Sequence, residues 1–268
     1  MNRVALSITS IAGNVGARLL SSLHTLGAWC HFVKLTFVWF LRPPFRMRQF
    51  FRQMEFVGVK STGIIALTSF FTGAVFALQS GEVFELFNME SMVGATVGMS
   101  LTRELSPVFT ALMVIARACS AMAAELGSMR VTEQIDALET MAVDPIQYLV
   151  VPRVAATTVM MPLLTMLFNF IGIIGAYLVG VHLLSIHEGP FLTLLYYYVD
   201  VDDLLGGLLK SAIFGFAIAS ISCFMGFRTT SGAAGVGKST TQAVVASAVT
   251  VLVLDYFLTT WILEFISK

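Results

Sequence analysis

Residues 232–239 read GAAGVGKS, which matches the phosphate-loop pattern G-x-x-x-x-G-K-[ST]. In that motif the backbone N–H groups and the lysine bind nucleotide phosphates, while the final hydroxyl binds Mg²⁺. The chemistry would be nucleotide binding, with Lys238 on a phosphate and Ser239 on the metal ion. A phosphate loop joins a strand to a helix, so the flanking segments decide whether the match has this meaning.

Both flanks of the match have the composition of membrane helices: FGFAIASISCFMGF precedes it and QAVVASAVTVLVLDYF follows it. No soluble domain is left to supply a sheet, and no apolar strand ending in Asp is available to hold Mg²⁺. We therefore predict that Gly232–Ser239 is a coincidental match that binds no nucleotide, and that Gly232, Gly235 and Gly237 form a flexible turn. The hydroxyl residues after this turn are predicted to cap the next helix: Ser239, Thr240 and Thr241.

The composition of the whole chain predicts a membrane protein. Of its 268 residues, 57% are hydrophobic and only 12% are charged, whereas a soluble domain carries about 25% charged residues. Too little polar surface is present to cover a water-facing globule. The 16 basic and 16 acidic residues give zero net charge, which argues against nucleic acid as a partner. The histidines and cysteines show no spacing typical of a metal site, a disulfide framework or a nucleophile–base pair.

The apolar segments predict an all-α integral membrane protein with five transmembrane helices. These spans are predicted at about residues 61–87, at 93–124, within 154–187, at 205–227 and at 239–263. The loops 82–92 and 185–203 contain no Lys or Arg, whereas the segments 42–60, 125–153 and 228–238 each contain Lys or Arg. The positive-inside rule, which counts Lys and Arg, therefore places these three segments in the cytoplasm.

The N-terminal segment 15–41 has two possible interpretations. It is apolar enough to span a membrane, but His24, Gly27, His31 and Lys34 share one helical face. That pattern favours an amphipathic helix lying in the membrane interface. We therefore divide the chain into an N-terminal interfacial helix with a basic elbow, residues 1–60, and a five-span domain, residues 61–268.

The cytoplasmic segment 128–153 predicts a short amphipathic helix, capped by Thr132 and ended by Asp144-Pro145. Its apolar stripe consists of Val131, Ile135, Leu138 and Ala142. The helix is either an ordinary solvated loop helix or an element that inserts into a groove of a cytoplasmic partner.

Four charged residues lie within the predicted spans: Arg103, Glu104, Lys210 and Asp255. A charge at the bilayer centre costs about 2.5–3.5 kcal/mol on insertion scales, so such residues usually pair or face a cavity. Here they either pair between helices or line a substrate path. One face of the first span carries Phe76, Ser80, Val83, Phe84 and Phe87, which suits packing, lipid contact or binding of acyl chains.

Three stretches, LTRELSPV, VTEQIDALETMAVDPIQYLVVPR and AAGVGKSTTQAVV, resemble in order and spacing the MlaE/YrbE permeases. These are membrane subunits of MCE-type ABC lipid transporters, and the resemblance covers residues 50–264. It implies a non-catalytic homodimeric subunit of the bacterial inner membrane that moves glycerophospholipids between the inner and outer membranes and maintains outer-membrane asymmetry. The implied partners are a cytoplasmic ATPase that holds ATP and Mg²⁺, a small STAS-domain protein and a periplasmic MCE-domain hexamer.

The resemblance also assigns roles to residues. A coupling helix at about 130–145 would contact the ATPase through Thr132, Glu133, Gln134, Asp136, Leu138, Met141, Asp144 and Pro145. A lipid cavity would be lined by Phe76, Val83, Phe84, Phe87, Arg103, Glu104, Lys210 and Asp255. Relatives often have Arg-Ala in place of Lys238-Ser239, which supports a coincidental phosphate-loop match. The alternatives are an ion-coupled secondary transporter that uses Glu104 and Asp255, and a membrane-embedded lipid enzyme.

Overall fold

The computed structural model describes residues 20, 23–43, 46–230 and 232–266, and within these ranges every regular element is a helix. The chain divides into two compact units, Met1–Phe45 and Arg46–Lys268. In the first unit, helix α1 covers residues 23–40. Most of residues 15–22 lie outside the described part, so the interfacial position of this segment stays a prediction.

The described residues of the second unit form ten α-helices, several of which continue directly into the next through a π or 3₁₀ turn. Before the cytoplasmic segment they are α2 (Met47–Val57), α3 (Thr62–Glu85), α4 (Val93–Ser100), α5 (Ser106–Val114) and α6 (Ser120–Val131). The remaining helices are α7 (Gln134–Thr140), α8 (Val151–Tyr177), α9 (Glu188–Tyr198), α10 (Val201–Phe227) and α11 (Gly232–Ile266). π-Helical turns occur at Leu101–Leu105, Ile115–Cys119, Ile146–Val150 and Leu178–Leu183, and 3₁₀ turns at Val59–Ser61 and Glu90–Met92.

Five continuous helical segments in the described ranges are long and apolar enough to cross a membrane, which confirms the predicted fold class. They are Met47–Glu85, Glu90–Val131, Ile146–Leu183, Val201–Phe227 and Gly232–Ile262. We number them as the first to fifth spans. The first span begins earlier than predicted because the basic elbow is itself helical as α2. The boundary predicted at residue 60 falls at the 3₁₀ turn between α2 and α3, and it stays a prediction.

The first span packs closely against the third because glycines lie at their contacts. A Cβ atom on Gly73 of α3 would overlap the carbonyl of Gly172 of α8, and one on Gly175 would overlap the carbonyl of Phe70. A Cβ atom on Gly58, between α2 and α3, would overlap Met160 of α8. Small residues at such contacts let helix backbones approach closely in lipid.

The fifth span is the least buried of the five. Only 17% of an apolar stretch of 18 residues in this span is buried, against 61% of the corresponding stretch in the fourth span. Its exposed apolar residues include Val245, Val249, Leu252, Val253 and Phe257. These side chains are left to contact lipid or another protein chain.

Candidate functional site

Lys210 of α10 is the centre of a charged cluster inside the spans, although only 2% of its surface is exposed. Its Nζ donates hydrogen bonds to Glu104 Oε2 at 2.7 Å and to Thr259 Oγ1 at 2.7 Å. Nζ also lies 2.9 Å from Asp255 Oδ1. One buried ammonium thus holds two carboxylates from different spans, as a charge in an apolar medium requires.

Arg103 forms a further ion pair of the cluster, with Asp203. Its Nη2 donates to Asp203 Oδ2 at 3.0 Å, and its Nε lies 2.7 Å from Asp203 Oδ1 without the geometry of a hydrogen bond. Asp203 also takes part in a capping box with Asp200 at the start of α10. The same carboxylate therefore begins a helix and orients the guanidinium, which fixes Arg103 relative to the fourth span.

The π turn Leu101–Leu105 places Arg103 and Glu104 at this cluster. Pro107 follows and has no N–H for the carbonyl of Arg103, its usual partner in an α-helix. Lys210 Nζ donates to that carbonyl instead, at 3.1 Å. Gly207 allows this contact, because a Cβ atom there would overlap the carbonyl of Thr102 in the same π turn.

A cavity of about 250 Å³ adjoins the cluster. It is lined by Arg103, Glu104, Asp200, Asp202, Asp203, Gly206, Gly207, Lys210, Thr259 and Ile262. The side chains of Arg103 and Glu104 are 37% and 39% exposed, whereas that of Lys210 is 2% exposed. Arg103 and Glu104 are therefore accessible to a ligand, as are the exposed Asp200 and Asp202 of the same cavity, whereas Lys210 holds carboxylates in place.

An apolar groove of about 400 Å³ lies between α3 and the second span. Its lining residues are Phe71, Thr72, Val75, Phe76, Gln79, Leu105 and Phe109. Leu105 directly follows Glu104 in the π turn, so the groove and the charged cavity use adjacent residues of one turn. The two cavities share no lining residue.

The structure brings together some of the residues predicted to line a cavity. Arg103, Glu104, Lys210 and Asp255 form the charged cluster, whereas Phe76 lines the apolar groove instead. The other three predicted residues, Val83, Phe84 and Phe87, line neither of these two cavities. Val83 and Phe87 are exposed, and Phe84 packs half-buried against the core.

Sequence reasoning missed two members of the cluster. Asp203 was assigned to a loop, and its pairing with Arg103 spans 100 positions of the chain. Thr259 lies four residues after Asp255 on the same helical face and hydrogen-bonds Glu104 Oε1 at 3.1 Å. That i, i+4 spacing was a signal that would have identified Thr259.

The predicted coupling segment is helical as α7, but its ends differ from the prediction. Thr132 does not cap α7; its Oγ1 donates to the carbonyl of Ser128 at 2.9 Å, at the end of α6. Glu133 precedes α7 with a left-handed φ of 58°. Asp144 does not end α7, which finishes at Thr140. Oδ1 of Asp144 accepts hydrogen bonds from the N–H groups of Ile146 and Gln147, at 2.9 and 3.1 Å, and so caps the third span.

The apolar stripe predicted on α7 is only partly buried. Ile135 is 1% exposed and so packs α7 against the rest of the chain. Leu138 is half-buried, and Ala142 is exposed. Asp136 is paired with Arg130. The remaining predicted coupling residues that are exposed are Thr132, Glu133, Gln134 and Met141. Pro145 is buried. Α7 thus presents one exposed surface beyond the spans.

The turn predicted at Gly232–Ser239 is wrong, because these residues are the first two turns of α11. The predicted caps are wrong too: Thr240 and Thr241 donate back to the carbonyls of Val236 and Gly237, at 2.8 and 3.0 Å, and Ser239 donates to that of Val236. The real turn is shorter and follows Phe227. A helix commits its N–H groups to preceding carbonyls, whereas a phosphate loop directs them at the ligand. That the chain binds no nucleotide stays a prediction.

Sequence comparison identifies the family. Residues 50–261 match the family described as Permease MlaE. The chain belongs to the MlaE permease family. It is 42% identical over 252 residues to a probable ABC transporter permease protein of Rickettsia felis, covering 94% of this chain and 97% of that protein. It is 41% identical over 209 residues to the intermembrane phospholipid transport system permease protein MlaE of Haemophilus influenzae, covering 78% and 80%.

A plant relative extends the comparison to chloroplasts. The chain is 36% identical over 224 residues to Protein TRIGALACTOSYLDIACYLGLYCEROL 1, chloroplastic, of Arabidopsis thaliana, covering 84% of this chain and 64% of that protein. The chain is thus an ABC transporter permease of the MlaE family. Permease subunits of ABC transporters are in general non-catalytic and work with a separate ATPase. The charged cluster and α7 both lie within the residues that match the MlaE family.

Proposed function

We propose that this permease transports glycerophospholipids between the inner and outer membranes of a bacterial envelope and so maintains outer-membrane lipid asymmetry. A partner ATPase drives the transport, and the permease itself lies in the inner membrane. The observation that carries the proposal is the exposed Arg103 guanidinium, held by Asp203 inside the spans beside an apolar groove. The name of the Haemophilus relative, an intermembrane phospholipid transport permease, supports the same substrate class.

The cavity has the two charges that a zwitterionic headgroup needs. Arg103 presents a planar guanidinium, which is suited to bidentate contact with a phosphate. Glu104, which is equally exposed, accepts hydrogen bonds from an ammonium or hydroxyl group. The groove lined by Phe76, Leu105 and Phe109 takes an acyl chain. These three parts match the phosphate, the polar headgroup and the tail of one glycerophospholipid.

The ATPase is proposed to dock on α7. This helix lies between the second and third spans, on the side that the Lys- and Arg-containing loops predict to be cytoplasmic. Its exposed Glu133, Gln134 and Met141 are available to a groove on the partner. Ile135 is buried against the body, so a movement imposed on α7 would reach the spans.

The other partners follow from the family. We propose a homodimer in which the exposed apolar face of α11 contributes to the contact between subunits, since only 17% of the apolar stretch of this span is buried in one chain. A periplasmic MCE-domain hexamer receives or delivers the lipid, and a small STAS-domain protein accompanies the ATPase.

Reconstituted transport tests the proposal. The complete complex is placed in donor liposomes that contain labelled phospholipid. The ATP-dependent movement of this phospholipid to acceptor liposomes is then measured for the variant Arg103→Gln. The matched control is Arg48→Gln, which removes an exposed arginine of α2 that lines none of the cavities described. Loss of transport in Arg103→Gln alone supports the proposal. Equal transport in both variants contradicts it, and transport that continues without the ATPase favours the ion-coupled alternative.

A further inference from the structure

A second polar cavity, of about 470 Å³, lies at the other end of the spans, between α2, the end of the second span and the start of the third. Its charged lining residues are Arg52, Glu55, Lys60, Glu125 and Arg153. Glu125 follows Arg103 by 22 residues along the second span, which is roughly 33 Å at 1.5 Å per residue. The cavity is therefore separate from the charged cluster around Lys210.

The surface of α2 indicates the depth of this cavity in the membrane. Met47 and Phe51, one helical turn apart, are both exposed apolar residues. Arg48 and Arg52 are exposed beside them, as in helices that lie at the membrane interface. The cavity on the other side of α2 is thus at the level of phospholipid headgroups. The basic segment 42–60 predicts that these belong to the cytoplasmic leaflet.

The cavity has cations available to an anion. Within the described ranges, Arg52 and Lys60 form no ion pair, and the Lys60 ammonium lies 5.7 Å from the centre of the Phe56 ring. Arg153 is only 5% exposed. Its Nη2 lies 2.9 Å from Glu125 Oε2 and its Nη1 donates to the carbonyl of Leu149 at 2.7 Å, but its Nε finds no hydrogen-bond partner among the described residues.

The same cavity has buried acceptors that need a donor. The Oε1 atoms of Gln49 and Gln53 are buried and accept no hydrogen bond from the described residues. A buried acceptor without a donor is costly, so these two oxygens favour a ligand that carries N–H or O–H groups. An inorganic phosphate would satisfy the cations and carries O–H groups of its own, whereas a headgroup with a hydroxyl or ammonium group beside its phosphate can contact both sets of groups at the same time.

We infer that this cavity binds the headgroup of a glycerophospholipid of the cytoplasmic leaflet. The phosphate contacts Arg52 and Lys60, and a headgroup hydroxyl or ammonium group donates to Gln49 and Gln53. This second lipid site is independent of the transport proposed above, because it needs only a lipid within reach of α2. A bound lipid braces α2 against the start of the third span.

Photo-cross-linking with peptide mapping tests the site. The full complex is labelled in nanodiscs with phosphatidylglycerol that carries a photoreactive headgroup. Labelling of α2 is expected to fall about a hundredfold in the double variant Arg52→Gln, Lys60→Gln, because two charge-assisted hydrogen bonds are lost. Labelling of the π turn Leu101–Leu105 should persist in that variant, whereas Arg103→Gln should give the reverse pattern. The proposed transport and this inference can therefore fail separately.

Three controls complete the experiment. Arg48→Gln should label α2 as the wild type does, and Arg52→Lys with Lys60→Arg should restore labelling by restoring the charges. The double variant Gln49→Met, Gln53→Met should lose the preference for phosphatidylglycerol over phosphatidylcholine, whose headgroup has no donor.

Three outcomes would overturn the inference. One is α2 labelling that is unchanged when Arg52 and Lys60 are replaced. Another is α2 labelling that inorganic phosphate abolishes completely, which would make this an anion site. The third is a double variant Arg52→Gln, Lys60→Gln that no longer co-purifies with the ATPase but is still labelled by the lipid. That result would make the cavity a protein-docking surface.

Discussion

Lys210 Nζ lies 2.7 Å from Glu104 Oε2 across two spans, and both are joined by the hydroxyl of Thr259. The contact means that the most buried cation of the site is already neutralised by this chain's own carboxylates. Arg103 at the cavity wall is paired too, with Asp203, but its side chain is 37% exposed, so it is the cation that a substrate reaches. The charged cluster therefore has a structural half around Lys210 and a ligand-facing half around Arg103.

Replacing Lys210 should destabilise the protein. Lys210→Met leaves Glu104 and Asp255 without their shared ammonium, and breaking a buried ion pair costs about 3–5 kcal/mol. We expect the loss of stability to be near or below the lower end of this range, because Glu104 is 39% exposed and water screens its charge. The thermal unfolding midpoint of the purified complex measures the effect. Adding Glu104→Gln and Asp255→Asn should recover part of the loss; an unchanged midpoint in Lys210→Met would contradict the structural role.

Gly207 should not tolerate a larger side chain. Gly207→Ala places a methyl group against the carbonyl of Thr102 and separates α10 from the π turn that carries Arg103 and Glu104. Overpacking of this kind costs about 1–3 kcal/mol. Gly63→Ala is the matched control, since a Cβ atom there meets no atom within 4 Å. Both variants are compared by thermal unfolding, and equal midpoints would show that the close approach of α10 is unimportant.

Met141 should contribute to binding of the ATPase. It is 64% exposed beyond the end of α7, and Met141→Asp would place a charge in an apolar contact. We expect the affinity for the ATPase to fall about tenfold, as for a moderate interface residue. Met89→Asp, at a methionine that is 47% exposed at the opposite end of the spans, is the control. Co-purification measures both, and equal ATPase retention would argue against docking at α7.

Lys238 should not take part in nucleotide binding. It lies in the second turn of α11, where the backbone is helical. Lys238→Ala is therefore expected to leave binding of a fluorescent ATP analogue by the complex unchanged. If binding disappears while the complex still assembles, the phosphate-loop match would have to be taken as functional.

The sequence alone predicts the spans and the intramembrane charges well, because apolar length and rare charges are local properties. It fails where a role depends on a distant contact. Asp203 was missed because its partner Arg103 belongs to another span. Gly235 was predicted to lie in a turn, but a Cβ atom on this helical residue would overlap the carbonyl of Thr230. Thr132 matched the pattern of a helix cap, yet its hydroxyl bonds backwards to α6.

The most direct test of the central claim is the amount of phospholipid that the purified complex retains at the Arg103 cavity, measured by native mass spectrometry. Arg103→Gln should reduce retention about tenfold, since it removes a charge-assisted contact with the phosphate. The swapped pair Arg103→Asp, Asp203→Arg is a second variant, which keeps the ion pair but moves the cation. We predict lost retention in Arg103→Gln and altered headgroup preference in the swapped pair. Wild-type retention and preference in both variants would contradict the account.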